Sequence, residues 1–201
     1  MLVEAALVLP VILTLTLGII EFGLIFKDSL TISNGTRSGA RIGSSDGQST
    51  LADYDILQAI KSGTSALTNN GTIVGVLVYE ASPTTATGSV TSPSAVCQAF
   101  LDSNSTSTTG NSTTGTACNY YPGSFITTMT SASFTGVAGA PGSWWLPSAR
   151  VIKQSNSGNP DGGPDYLGVV VKINHNYVTK LIGSSRYMSD TTVMRLEPSP
   201  S

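Results

Sequence analysis

Few side chains in this sequence could carry out chemistry. Among 201 residues there are one histidine, His175, and two cysteines, Cys97 and Cys118. Acid-base or nucleophilic catalysis needs a base beside a nucleophile, or clustered carboxylates, and the pattern offers neither. Two thiols and one imidazole also lack the spacing of a metal site. We therefore expect no enzyme, no bound metal and no cofactor.

The two cysteines indicate structural rather than catalytic chemistry. Cys97 and Cys118 are separated by 20 residues. In an exported protein they would form a disulfide, which the chain-entropy estimate values at roughly 3 kcal/mol. We expect His175, at the end of a strand, to be solvated at the surface. Residues 159–165 hold two carboxylates without calcium-loop spacing, and we interpret them as a turn.

Sugar attachment is a further candidate chemistry. Four short motifs match the N-glycosylation pattern, which is common in any chain rich in Ser and Thr. O-linked sugars need no motif and suit the composition better. The candidate positions are Asn34, Asn70, Asn104 and Asn111.

Charge is scarce and unevenly spread. Charged residues make up 11% of the chain, against about 25% in an ordinary soluble domain. A net charge of -2 and a pI near 5.2 argue against nucleic acid as a partner. Between Glu80 and Arg150 the only charged residue is Asp102, and 27 of the 69 intervening residues are Ser or Thr. This Ser/Thr-rich segment (81–149) is solubilised either by hydrophilic modification or by its hydroxyl groups alone.

The amino-terminal residues form a long apolar run. Residues 2–26 contain Glu4 and Glu21 as their only charges. As a helix, this run reaches about 37 Å, enough to cross a hydrocarbon core of about 30 Å. No Lys or Arg precedes Lys27, so we expect a membrane helix rather than a cleaved signal peptide. Pro10 removes one backbone hydrogen bond, which predicts a kink or a loosened turn.

A carboxylate in lipid is costly and usually has a partner. Glu4 either pairs with the α-amino group of Met1 in a neighbouring copy, which would set the register between subunits, or is solvated at headgroup level. Glu21 lies about 26 Å further along the helix and would mark the far interface. There we expect a basic partner such as Lys27 or Arg37 of another copy.

The apolar run carries a family resemblance. The strings EAALVLP (4–10), GIIEFG (18–23) and RSGAR (37–41) resemble the amino-terminal signature of TadE-like pilins and pseudopilins, in the type IV filament superfamily. Residues 164–171 and 193–198 resemble that family's carboxy-terminal strands less specifically. In the family the glutamate is usually the fifth residue of the mature chain, whereas here it is the fourth.

The resemblance implies how the chain is processed and assembled. A precursor is cleaved by a prepilin peptidase after a glycine, often with methylation of the new amino terminus. The chain first resides in the cytoplasmic membrane and is then extracted by the pilus assembly machinery into an extracellular filament. Its main partner would be itself, as a homopolymer.

Beyond Lys27 no proline occurs before the Gly- and Ser-rich cluster at 43–47, so the same helix continues to that point. Gly35, Gly39 and Gly43 share one helical face. Because each glycine costs about 1 kcal/mol relative to alanine, three on one face indicate close approach of another backbone. That backbone belongs to a sheet of the same chain or to neighbouring helices. The alternative is a frayed helix end.

The remaining residues predict a small head. Residues 53–67 have the pattern of a short amphipathic helix. The β-branched runs at 72–79, 167–173 and 191–196 predict strands, and 125–134 is a candidate fourth. Trp144 and Trp145 either anchor an adhesive or intersubunit contact or cover a sheet edge.

The expected fold is α+β: a long N-terminal hydrophobic helix packed on a small antiparallel β-sheet head, as in type IV pilins. Residues 1–45 would form the membrane and filament-core helix, and 46–201 the extracellular head. The favoured function is a structural pilin for adhesion or surface attachment, added head to tail in an open helix. The alternatives are a minor pseudopilin assembly factor and a single-pass, membrane-anchored surface binding protein.

Overall fold

The computed structural model describes residues 2–67, 71–81, 92–134, 140–152, 165–180 and 183–197. These residues form an α+β fold in which a long helix leads into a five-stranded antiparallel sheet, as expected. The helices are α1 (Leu2–Asp46), α2 (Ala52–Gly63), α3 (Ala95–Asp102) and α4 (Gly123–Thr128), and the strands are β1 (Gly71–Ala81), β2 (Thr109–Asn111), β3 (Cys118–Pro122), β4 (Tyr166–Asn176) and β5 (Ser185–Arg195).

The sheet has the order β2-β3-β1-β4-β5. The central pair, β1 and β4, runs antiparallel over its whole length, from Gly71 opposite His175 to Ala81 opposite Tyr166. Strands β4 and β5 form a hairpin whose last pair is Asn176 with Ser185. The turn of this hairpin therefore lies at the end of the sheet where β1 begins.

Both faces of the central strands are covered, which explains their continuous apolar runs. Residues Val76 and Val78 of β1 face α1 and α2, whereas Leu77 and Tyr79 face α3. The alternation follows from the two-residue period of a strand. Helix α1 crosses the sheet over β4 and β5, so that its second half is part of the core of the head.

The glycine face of α1 is covered mainly by α2. A Cβ atom added at Gly39 would lie 2.6 Å from Ile60 Cγ1, and one added at Gly43 would lie 2.6 Å from Ile56 Cδ1. A Cβ atom added at Gly35 would lie 2.7 Å from Thr64 Cγ2 and 3.7 Å from the backbone carbonyl carbon of Gly63. At Gly43 the sheet also takes part, because Leu167 Cδ2 is 2.7 Å from the added atom. The close partner is thus a helix of the same chain, with β4 at one end.

Helix α1 ends where the sequence predicts. Asp46 is its last residue, and Gly47 follows with a φ of +49°, a left-handed conformation that glycine adopts without strain. The predicted helix at 53–67 corresponds to α2, and the three predicted strands correspond to β1, β4 and β5.

The candidate strand at 125–134 is wrong. Helix α4 and a 3₁₀ turn at Ser131–Ser133 occupy this stretch. Phe125 and Phe134 belong to an aromatic cluster, with each ring centroid within 5.9 Å of that of Tyr121. Tertiary packing of these rings overrides the strand propensity of the segment. Strands β2 and β3, both in the Ser/Thr-rich segment, were not predicted.

The glycine face provides a test of the packing between α1 and α2. Changing Gly39 to Ala should lower the melting temperature of the detergent-solubilised chain, corresponding to about 1–3 kcal/mol, because the new Cβ collides with Ile60. Gly18 in the same helix is the matched control, since an added Cβ there meets nothing within 4 Å. Gly18→Ala should leave stability unchanged or raise it by up to about 1 kcal/mol. Circular dichroism melts of both variants measure the difference, and equal melting temperatures would contradict the close packing.

Candidate assembly and membrane-anchoring site

The first half of α1 projects from the head as an exposed apolar rod, which we call the shank (residues 3–20). Its large apolar side chains are exposed: the exposed fraction is 72% for Leu7 and 73% for Ile19. The helix is long and apolar enough to cross a membrane, by length and composition, and its most apolar 18-residue window has a mean hydropathy of 2.3 with none of it buried. Such a surface needs an apolar environment from outside the chain.

Two residues singled out by sequence lie on the shank. Glu4 is in the first turn of α1 and its side chain is exposed. Pro10 is also exposed, and α1 continues through it. The Thr14 hydroxyl donates a hydrogen bond to the carbonyl oxygen of Pro10 at 3.0 Å, in the turn that follows the proline. Met1 lies outside the described residues.

Glu21 is fully buried, at the point where the shank meets the head. Its carboxylate accepts hydrogen bonds from the backbone nitrogen of Val178 at 3.0 Å and from that of Thr179 at 3.1 Å. The Thr179 hydroxyl donates a third at 3.0 Å. The expected basic partner from another copy is therefore corrected: the turn between β4 and β5 of the same chain satisfies this carboxylate. Buried carboxylates are stabilised by such N–H donors.

His175 is fully buried beside Glu21, so the prediction of a solvated histidine is wrong. Its Nδ1 atom lies 2.7 Å from Oδ2 of Asp28, and its Nε2 atom lies 3.6 Å from Oε1 of Glu21. Both carboxylates come from α1, seven residues apart, and the imidazole comes from the end of β4. The three side chains join the helix to the end of the sheet where the hairpin turn lies.

A second buried polar cluster holds the interior of the head. Arg150 forms an ion pair with Asp53 at the start of α2, and both are fully buried. Asp53 also accepts hydrogen bonds from Asn119 Nδ2 at 2.7 Å and from the Tyr121 hydroxyl at 2.5 Å. Burial, together with the Asp53 carboxylate, raises the pKa of the Tyr121 hydroxyl well above its ordinary value. Trp145 completes the cluster, with the Arg150 guanidinium 4.4 Å from its ring centroid.

Cys97 and Cys118 form the predicted disulfide, which ties α3 to β3. Both cysteines are fully buried among apolar residues on the α3 side of the sheet. The bond closes a loop that contains β2 and two of the glycosylation motifs. A large part of the Ser/Thr-rich segment is thus folded onto the sheet rather than extended into solvent.

Residues 1–41 match the family model described as TadE-like protein. The amino-terminal segment is TadE-like. The match confirms the resemblance over the shank and the start of the glycine face, and it stops before residues 164–171 and 193–198. No curated protein and no solved structure matches the chain.

The TadE-like segment contains the apolar run of α1 that is long enough to cross a membrane. It includes Glu4, Pro10 and Glu21, and it ends just past Gly39. The family indicates a Tad pilus-associated protein with an N-terminal membrane helix. In the described part of the chain, no group of three His, Cys, Asp or Glu side chains is arranged to hold a metal ion.

The candidate glycosylation residues occupy different settings. Asn34 is exposed on α1, Asn104 has a φ of 49°, and Asn111 lies in β2. The Asn111 side chain already donates to the Thr116 carbonyl oxygen at 2.8 Å. Asn70 lies outside the described residues, as does the predicted turn at 159–164. Attachment of sugars stays a prediction at all four positions.

The two tryptophans cover the sheet rather than project from it. Trp145 is 5% exposed and belongs to the core. Trp144 lies against Gly110 of the edge strand β2, where an added Cβ would come within 2.6 Å of the Trp144 Cβ. This arrangement favours the edge-covering interpretation over an adhesive anchor.

The buried carboxylate of Glu21 predicts a large effect of a small change. Glu21→Gln replaces one acceptor oxygen with an amide that cannot accept the N–H bonds of the hairpin turn. We expect a loss of about 1–3 kcal/mol in unfolding free energy, since a buried donor is left unsatisfied. Thermal unfolding in detergent measures this, with Glu197→Gln as the control because Glu197 is exposed at the other end of α1. Equal melting temperatures for the two variants would contradict the proposed role of the Glu21 hydrogen bonds.

The end of α1 predicts a dependence on pH. Burial and the neighbouring Asp55 carboxylate raise the pKa of Asp46 above its ordinary value. Because the folded-state pKa exceeds the unfolded-state value, this contribution to stability is complete at acidic pH. It is lost as the pH rises from about 4 through the raised pKa.

Asp55→Asn removes the like charge, so it should flatten the fall in melting temperature across this range. Asp102→Asn is the control, because Asp102 is exposed at the end of α3. Melting curves recorded from about pH 3.5 to 7 compare the two variants, because this range includes the ordinary carboxyl pKa of about 4. Parallel pH profiles for the wild type and Asp55→Asn would exclude the coupling.

Proposed function

We propose that the chain is a structural pilin of a Tad-type, type IV filament, used for adhesion or surface attachment. The observation that carries the proposal is the shank: an unbroken apolar helix, exposed along its length, that continues into the core of a folded head. A membrane holds this helix before assembly, and the helices of other copies hold it in the filament.

The free energy of moving the shank from the membrane into a filament is compatible with polymerisation. Moving the shank from lipid to a bundle of identical shanks exchanges one apolar environment for another, so burial of apolar area alone contributes little. Packing shape and polar contacts must then decide how copies align. Glu21 is hydrogen-bonded within its own chain, at the junction with the head, whereas Glu4 lies in the first turn of α1, where neighbouring shanks would meet. We propose that Glu4 meets the α-amino group of Met1 in a neighbouring copy.

The proposed division of the chain follows from the same helix. Residues 1–45 form the filament core and 46–201 form the outer head, with the Ser/Thr-rich segment on the filament surface as the region open to glycans. Head-to-tail addition produces an open helical filament rather than a closed ring. The partners of this process are a prepilin peptidase, the pilus assembly machinery and the membrane, before the chain reaches the cell exterior.

Electron microscopy of material sheared from cells tests the proposal. Wild-type cells should yield fibres that contain this chain, and Glu4→Ala should reduce fibre number at least tenfold, because the register contact is lost. Glu197→Ala is the control, since it removes an exposed carboxylate from the head and leaves the shank intact. Immunoblots of membranes must show equal amounts of all three chains.

Two other outcomes would replace the proposal. Wild-type cells without fibres, and Glu4→Ala with normal surface display, would indicate a single-pass, membrane-anchored binding protein. Fibres that require the chain but contain it in only trace amounts would indicate a minor pseudopilin that initiates assembly.

A further inference from the structure

The turn between β4 and β5 lies beside the membrane-competent half of α1. The Glu21 carboxylate, inside the apolar run, accepts hydrogen bonds from the backbone nitrogens of Val178 and Thr179, just after β4. Two residues beyond Phe26, Asp28 meets His175 near the end of β4. The hairpin therefore reaches down the helix to the level of residue 21.

The position of this contact fixes how much of α1 is left for lipid. Residues 3–20 lie below it, and 18 helical residues span about 27 Å. The hydrocarbon core of a bilayer is about 30 Å thick. A helix that uses this whole length to cross the membrane brings the hairpin turn to the membrane surface.

The side chains exposed at this level are those that favour a membrane interface. Phe22 is 69% exposed and Phe26 is 66% exposed on α1. On the hairpin, Val178 is 54% exposed, and Tyr187 at the start of β5 is 53% exposed. A groove of about 520 Å³ between α1 and the start of β5 is lined by Phe22, Phe26 and Arg186 among others. The Tyr187 ring centroid lies 4.9 Å from the Lys172 ammonium. Tyr is enriched where membranes meet water, and Lys and Arg side chains near the ends of membrane helices extend to the same level.

The exposed charged side chains at this level also favour contact with a membrane surface. In the described parts of 22–29 and 177–186, the exposed charged side chains are Lys27, Lys180 and Arg186. The acids at this level, Glu21 and Asp28, are fully buried. The surface that faces the membrane is therefore basic, which suits the phosphate groups of lipids.

We propose that the described residues of the β4–β5 turn (177–180 and 183–184) and the start of β5 form a second membrane contact, which rests in the headgroup region beside α1. The head then sits at a fixed height and in a fixed orientation on the bilayer, rather than swivelling on a single helix. This contact requires only that α1 crosses the membrane, so it holds for a filament subunit before assembly and equally for a permanently anchored protein.

The experiment measures the depth of single positions in a bilayer. The full chain, with Cys97 and Cys118 in their disulfide, is given one additional cysteine that carries an environment-sensitive nitrobenzoxadiazole label. The labelled chain is reconstituted into vesicles of phosphatidylethanolamine and phosphatidylglycerol, some with a doxyl group high on the acyl chain and others with a doxyl group deep in it. The variants are Val178→Cys and Tyr187→Cys at the proposed contact, Leu13→Cys in the shank, and Ser112→Cys in the exposed loop between β2 and β3 at the other end of the sheet.

The proposed contact predicts a specific order of quenching. Labels at positions 178 and 187 should be quenched at least about twofold more than the label at 112, as expected for interfacial side chains. The label at 13 should be quenched most by doxyl groups deep in the acyl chain. Changing Lys180 and Arg186 together to Glu should reduce quenching at 178 in vesicles containing phosphatidylglycerol, because the basic surface is lost.

The two ways to fail are distinct. Quenching at 13 with none at 178 and 187 would overturn the second contact and leave the membrane helix in place. Absence of quenching at 13 would overturn both, since α1 would not cross the bilayer. Neither result bears on whether sheared cells yield fibres, which tests the proposed function separately.

Discussion

The hydrogen bonds between the Glu21 carboxylate and the β4–β5 turn divide helix α1 into two parts with opposite requirements. Below Glu21 the helix is an exposed apolar rod, and above it the helix is part of the core of the head. A carboxylate placed inside an apolar run is costly unless donors reach it. Because the donors are backbone N–H groups of a hairpin, the fold of the sheet determines where the apolar rod begins. The glycine face above this point lets α2 approach closely and completes the attachment.

The sequence predicted the parts of the fold that depend on local pattern. The apolar run, the end of α1 at the Gly- and Ser-rich cluster, and the β-branched strands β1, β4 and β5 all have periodicities that a chain shows without tertiary information. The glycine spacing on α1 predicted a close backbone partner, and the structure supplies α2 in that place. Helix α1 and its family resemblance could be predicted from the sequence for the same reason, because both depend on contiguous residues.

Contacts between distant residues could not be predicted in this way. His175 pairs with Asp28 across 147 positions, and Arg150 pairs with Asp53 across 97. A lone histidine between two asparagines resembles a surface residue until the sheet places it under α1. The Phe125–Phe134 stretch failed because ring packing, not backbone propensity, decides its conformation. One signal was present for Arg150: it is the first cation after a segment with almost no charge.

The scarcity of charge acquires a different meaning in the folded chain. Glu21, Asp28, Asp53 and Arg150 are fully buried and paired or hydrogen-bonded. These four charges are withdrawn from solvent, so fewer charged side chains reach the surface than the composition counts. The disulfide and the Tyr121 cluster hold the described part of the Ser/Thr-rich segment in place.

The direction of β4 beside α1 has a mechanical consequence. Leu167 packs at Gly43 and His175 packs at Asp28, so the strand and the helix lie side by side along a common axis. A pull on the shank along that axis loads the contacts between helix and head in shear, with the Glu21 bonds, the His175 pair and the glycine face all strained together. Contacts loaded in parallel must break together, whereas contacts peeled one at a time fail in succession. The head is thus joined to the shank by several contacts that share a load applied along the helix.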